Sequence, residues 1–179
     1  MKYVYLGAAT DVDREALEAI RGEALARFGE TVRGLELPEI EFAFDPVRKQ
    51  YGSIPLLEML ARIAPADCRK LLAVTEKDLF IPVLTFVFGQ AQLGGRVGVV
   101  SLARLRQEFY GLPPNREVFV QRAVKEALHE TGHMFGLVHC PAQGCAMSLA
   151  TGVRQIDGKQ PGFCVACAAR LHARGERYL

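Results

Sequence analysis

Residues 129–140 read HETGHMFGLVHC and hold three of the chain's four histidines, with a cysteine directly behind the last. His129 and His133 stand four positions apart. On a helix, at about 100° per residue, their imidazoles point the same way and reach one ion. Glu130 lies beside them, placed to contact a water on that ion rather than the ion itself. This is the H-E-x-x-H arrangement of two ligands and a carboxylate base. Gly136, three residues after His133, ends the helix and turns the chain sharply, so that His139 returns as a third ligand. Neutral imidazole suits zinc, and three protein ligands keep a fourth position for water, the pattern of a catalytic site. Zinc lowers the pKa of such a water toward about 7, while Glu130 takes its proton and returns it to a leaving amine. The full H-E-x-x-H-x-x-G-x-x-H is far more restrictive than a bare H-E-x-x-H, which arises by chance in unrelated proteins.

The cysteines form a second constellation. Cys140 and Cys145 make C-x4-C, and Cys164 and Cys167 make C-x2-C after eighteen intervening residues. Four thiolates in two close pairs match a tetrahedral structural zinc that holds a small lobe together. Cys140 could instead close the histidine site as a fourth ligand. Adjacent side chains in an extended segment point to opposite sides, however, which favours separate ions for His139 and Cys140, two zinc ions per chain. Cys68 is left over as an ordinary, partly buried thiol, and His172, in LHARGER, reads as a surface residue.

These residues need a scaffold. At 179 residues, half of them apolar and 23% charged, the chain suits one domain, residues 1–179, with a sizeable core. Two lobes are expected within it: an upper subdomain, residues 1–136, with the sheet and the histidine helix, and a lower subdomain, residues 137–179, with the cysteines. The net charge of +2 comes without a dense basic run and argues against a nucleic-acid partner. The N-terminus reads as a buried first strand rather than a secretory h-region, and with a strand starting so early no propeptide is expected. LFIPVLTFVFG, broken by Pro82 and Thr85, is too short to span a bilayer. A cytoplasmic chain is expected, with reduced thiols, so that five cysteines point to metal before disulfides.

The first 110 or so residues read as alternating strands and helices. KYVYLGA is strand-like. Asp11 or Asp13 caps a helix reaching about Phe28, with Ala16, Leu17, Ile20, Ala24 and Phe28 at near-helical spacing. A strand at EIEFAF and a helix around IPLLEMLARI follow, with Pro55 in the helix's first turn. LLAVT and RVGVVSL are short β-rich runs. VLTFVFGQAQLGG reads as a strand, and Pro82 suits a sheet edge. After the break at GLPPN, Asn115 caps a long helix, REVFVQRAVKEALHETGHMF. Val118, Val120, Ala123, Val124, Ala127 and Leu128 form its buried stripe, with Arg122, Lys125 and Glu126 among the polar positions between. Gly132 is tolerated inside it. A short basic helix lies near the end.

With both constellations in view, HETGHMFGLVH resembles the metzincin metallopeptidase signature. Its continuation, HCPAQGCAM followed by FCVAC, resembles the archaemetzincins, whose zinc-binding helix leads at once into C-x4-C-x-M and then a distal C-x-x-C. The motifs cover residues 122–167 closely, and TEKDLFIPVLTFVFGQA and VVSLARL more loosely. The resemblance implies an α/β (α+β) fold with a twisted mixed sheet, a long active-site helix and a small lower lobe stapled by the four-cysteine zinc. It also makes Met147 the Met-turn residue beneath the catalytic zinc. By residue type alone, Met147 reads as core filler. One position departs: some metzincins carry a tyrosine two residues after that methionine, and here it is Leu149.

The leading expectation is a zinc-dependent peptidase, with VLTFVFGQA as the edge strand along which a peptide or protein substrate adds. An ordinary edge strand without a ligand is the plainer reading. A catalytically weak or inactive metzincin scaffold that grips peptides is the rival, against which Glu130 argues. A nucleic-acid adaptor has only Arg170, Arg174 and Arg177 in support, which a solvated helix face explains equally well. No nucleic-acid or membrane partner is expected, and the chain is read as a monomer.

Overall fold

The computed structural model describes residues 2–179; Met1, in the expected upper subdomain, lies outside the described residues. Strand β1 (Tyr3–Ala8) leads into helix α1 (Arg14–Ala19). Of the two candidate caps, Asp13 serves: its carboxylate accepts from Ala16 N–H at 3.0 Å. The helical path continues through a π turn and a 3-10 turn to Phe28, as the spacing predicts, and ends at Gly29 with φ 65°. Then follow β2 (Val32–Glu36), β3 (Phe44–Asp45), β4 (Gln50–Gly52), α2 (Ser53–Ile63), β5 (Cys68–Thr75), β6 (Leu79–Phe80), β7 (Gly89–Ala91) and β8 (Val97–Ser101). The long helix α3 (Arg116–Met134) and the short α4 (Val153–Gly158) and α5 (Val165–Ala173) complete the chain.

The main sheet is mixed, ordered β2-β1-β5-β8-β7, with β7 antiparallel on its edge and the other pairs parallel. A small sheet, β3-β4-β6, sits beside it. Strands buried on both faces read as continuous apolar runs, and β8 has all five residues buried. Side-chain alternation divides β5 between two cores. Leu72 and Val74 face α1 and α3, while Leu71 and Ala73 face α2. The first core also takes in Cys145, Met147, Ile156, Cys167 and Leu171, so the chain after residue 137 packs on the sheet's own core. Lys70, from β5, donates to Met134 O at 2.6 Å and Gly95 O at 2.7 Å, tying the last turn of α3 to the sheet. No described helix is long and apolar enough to cross a membrane.

Three expectations need correction. EIEFAF is not a strand: residues Glu41–Ala43 form a 3-10 turn, and only Phe44 enters β3. The strand of this region is β2, an outer strand with no fully buried residue and therefore no apolar alternation to read. VLTFVFGQAQLGG contributes to the edge, but only Gly89–Ala91 is strand. Pro82 cannot donate to a ladder, and Leu84 N–H closes a turn on Ile81 O. The third concerns α3. Arg122, Lys125 and Glu126 are buried, because the chain after residue 150 covers that side, while Val118 is only half-buried.

Candidate metal centre

Helix α3 is set by its ends. Asn115 Oδ1 accepts from Val118 N–H at 3.1 Å. At the other end Gly136 adopts φ 88°, the left-handed region that favours glycine. Leu137 N–H bonds Gly132 O and Gly136 N–H bonds His133 O, each at 2.9 Å, the paired closure of a Schellman motif. The chain reverses there and brings His139 back over the helix. The His139 ring centroid lies 5.3 Å from that of His129 and 5.0 Å from that of His133. One nitrogen from each ring lies within 4.8 Å of the others.

The backbone fixes the tautomers. His129 Nδ1 meets Ala146 O at 2.8 Å and His133 Nδ1 meets Leu137 O at 2.7 Å. A carbonyl only accepts, so each Nδ1 carries the proton and each Nε2 presents a lone pair. The two Nε2 atoms are 3.1 Å apart with no proton between them, a repulsive arrangement that a cation reverses. Burial depresses the basicity of all three imidazoles, most for His129, and nearby Lys159 adds to it. The neutral ring is the form that binds metal. Among the described residues the donor set therefore fits zinc.

Glu130 is buried in the same cleft, and burial, followed by the neighbouring Glu126, pushes its carboxyl well above the usual range. Met147 is fully buried and packs on α3 at Gly132, where a methyl group would overlap the Met147 sulfur. Gly132 thus permits a close approach rather than being merely tolerated. The cleft encloses about 540 Å³, between β7 with the 84–88 segment on one side and His139, Leu149 and Ala150 on the other. Leu149, where some metzincins carry tyrosine, is an exposed wall residue.

Cys140, Cys145, Cys164 and Cys167 converge separately, each sulfur within 4.8 Å of the others. Cys140 and Cys164 sulfurs are 3.8 Å apart, and Cys164 N–H points at Cys145 Sγ at 3.3 Å. A backbone hydrogen bond from Cys167 draws the Cys164 thiol down to about 7. Adjacent His139 and Cys140 do face opposite ways: His139 is exposed in the imidazole cluster, and Cys140 is buried in the thiol cluster. Cys68 is buried in the other core and His172 is exposed, and among the described residues neither joins a cluster.

The pair Glu126 and Lys159 gave no signal in the sequence. Lys159 Nζ donates to Glu126 Oε1 at 3.0 Å, with side chains 0% and 3% exposed. Glu126 lines the cleft one turn before Glu130. Beside this pair, Arg122 makes two bonds of 2.7 Å to Asp157, so α4 is clamped to α3 by charge.

Peptidase family M54 matches residues 45–173, about three-quarters of the chain, and defines a zinc metallopeptidase. Archaemetzincin of Methanocaldococcus jannaschii is 40% identical over 169 residues, covering 92% of this chain and 90% of that relative. The crystal structure of archaemetzincin from Methanopyrus kandleri aligns with a TM-score of 0.83 at 37% identity, over 96% of this chain and 94% of that one. A zinc-dependent peptidase from Methanocorpusculum labreanum aligns at 0.81 with 31% identity, over 94% and 99%. The chain belongs to the archaemetzincins, peptidase family M54.

Proposed function

We propose that this chain hydrolyses bonds within peptides or proteins, with His129, His133 and His139 holding the catalytic zinc and Glu130 as general base. A second zinc, held by Cys140, Cys145, Cys164 and Cys167, staples residues 137–179 as a lower subdomain beneath residues 1–136. The chain works as a cytoplasmic monomer. The observation that carries the reading is the pair of bare Nε2 lone pairs facing each other beside a buried carboxylate.

When bound, zinc supplies Lewis-acid polarisation of a carbonyl and acidification of water. The rest falls to the chain. Ala146 O and Leu137 O hold two imidazoles in the ligand tautomer. Glu130 accepts a proton from the attacking water and delivers it to the amine nitrogen as the C–N bond breaks, so one carboxylate serves both transfers. β7 offers the substrate its backbone. Phe88 O and Gln92 N–H bond β8, so by antiparallel alternation the groups of Gly89 and Ala91 face the free edge. A peptide pairing there gains main-chain hydrogen bonds beside Glu130.

The test is zinc analysis paired with a peptide-library digest of wild type and Glu130→Ala. Both zincs should remain in the variant, and cleavage should fall by about 10²–10⁴-fold, toward the upper end. Full-rate cleavage by Glu130→Ala refutes the mechanism. A wild type that binds peptides and cleaves none makes the chain a binding module.

A further inference from the structure

We propose that Gly89 is a positioning residue for Glu130 and sets the register in which a peptide meets it; the inference rests on Glu130 being the base. Side chains in β7 alternate between faces. Gln90 turns to α2, where Ser53 Oγ donates to Gln90 Oε1, so Gly89 and Ala91 face α3. Ala91 carries a methyl group there, packed on the core. Gly89 has no room for one. A Cβ at Gly89 would stand 2.6 Å from Glu130 Cγ, 2.7 Å from Glu130 Oε1 and 2.7 Å from Val99 O. Gly89 does not have a positive φ, so space alone demands the glycine.

Glu130 fills the volume that a side chain at 89 would take. No protein hydrogen bond holds its carboxylate among the described residues, so the Gly89 backbone is the wall that limits its position. The same residue turns its N–H and C=O to the free edge. That edge is short: Val87 N–H already bonds Leu79 O of β6, which among the described residues leaves Gly89 and Ala91 open. A peptide paired at this step therefore lies against the residue that the base touches, and register and proton transfer share one anchor.

The experiment takes zinc-loaded Gly89→Ala, Glu130→Ala and the double variant. It uses a quenched fluorescent peptide that wild type cleaves, with zinc content and thermal unfolding measured alongside. Gly89→Ala should keep both zincs, hold KM within a few-fold because its backbone groups survive, and lose at least about 100-fold in kcat, the scale of a misplacement near 1 Å. In the Glu130→Ala background the same substitution should have much less effect on the residual rate and a smaller effect on the unfolding midpoint, since Cγ and Oε1 are gone and only the clash with Val99 O remains. A kcat within threefold of wild type for Gly89→Ala, while Glu130→Ala collapses, overturns the inference alone. Equal midpoint losses in both backgrounds do the same, because Gly89 would then serve the sheet and not Glu130. Full activity in Glu130→Ala removes the underlying reading instead.

Discussion

The Glu126–Lys159 pair is the sharpest place to perturb the scaffold without touching a proposed ligand. Both side chains are out of water, at 3% and 0% exposure, and the contact is 3.0 Å. Replacing Lys159 by Met strands a carboxylate that burial already pushes above its usual value of 4.5 and that Lys159 alone pulls back. Breaking one side of such a pair costs about 3–5 kcal/mol. At roughly 2–4 °C per kcal/mol for a chain of this length, the unfolding midpoint should drop by about 6–20 °C. The stranded Glu126 binds a proton more tightly folded than unfolded. The extra deficit of Lys159→Met should therefore be smallest below pH 4.5 and grow as pH rises through the raised folded value. Replacing both partners, as Glu126→Gln with Lys159→Met, removes the stranded charge and should recover most of the loss. The assay is thermal and urea unfolding at fixed excess zinc, since metal binding itself stabilises the folded state. Additive losses in the double variant, or a cost below about 1 kcal/mol for Lys159→Met, would refute the argument.

Three further outcomes are expected. The histidine cluster reaches solvent at His139 while the thiol cluster is largely buried, so a mild chelator should remove one zinc of two quickly and the other slowly; a single zinc after zinc-replete purification, or equal release rates, contradicts this. Cys164→Ser should also render residues 137–179 sensitive to protease, because structural zinc contributes to folding directly. Gly132→Ala should force the Met147 sulfur away from α3 at a cost of about 1–3 kcal/mol by overpacking, read by urea unfolding, and lower zinc affinity in parallel; unchanged stability and zinc content would show that Met147 moves freely.

Much of this site was legible because metal ligation needs particular residue types at particular spacings. His129 and His133 at one helical turn, Gly136 at the reversal and four cysteines in two pairs leave few alternatives. Residues that act by lacking a side chain or by meeting a distant partner were not legible. Gly89 and Gly132 read as a strand glycine and a tolerated helix glycine, although an isolated glycine in either element hints at close approach. Lys159 sits in GKQPG, the composition of a surface turn, and only the covering of α3 buries it. β2 failed for the opposite reason: a half-exposed outer strand carries no periodic signal, whereas Phe42 and Phe44 of EIEFAF imitate one while standing exposed.

The two clusters are close in sequence because they are coupled in structure. Ala146, whose carbonyl accepts from His129 Nδ1, lies between Cys145 of the thiol cluster and Met147 beneath the helix. Its own N–H is fixed on Gly162 O at 2.9 Å, and Cys140 N–H bonds Met147 O at 2.9 Å. His139 is adjacent to Cys140. An ion on the four cysteines would therefore fix one proposed ligand of the catalytic zinc through the chain and orient another through a carbonyl. Orienting partners of this kind are worth about 10–100-fold in metal affinity. Loosening the thiol cluster should thus weaken zinc at the histidines while leaving all three of them intact. On the proposed reading the cysteines would serve the chemistry at one remove, as the frame that aims the imidazoles.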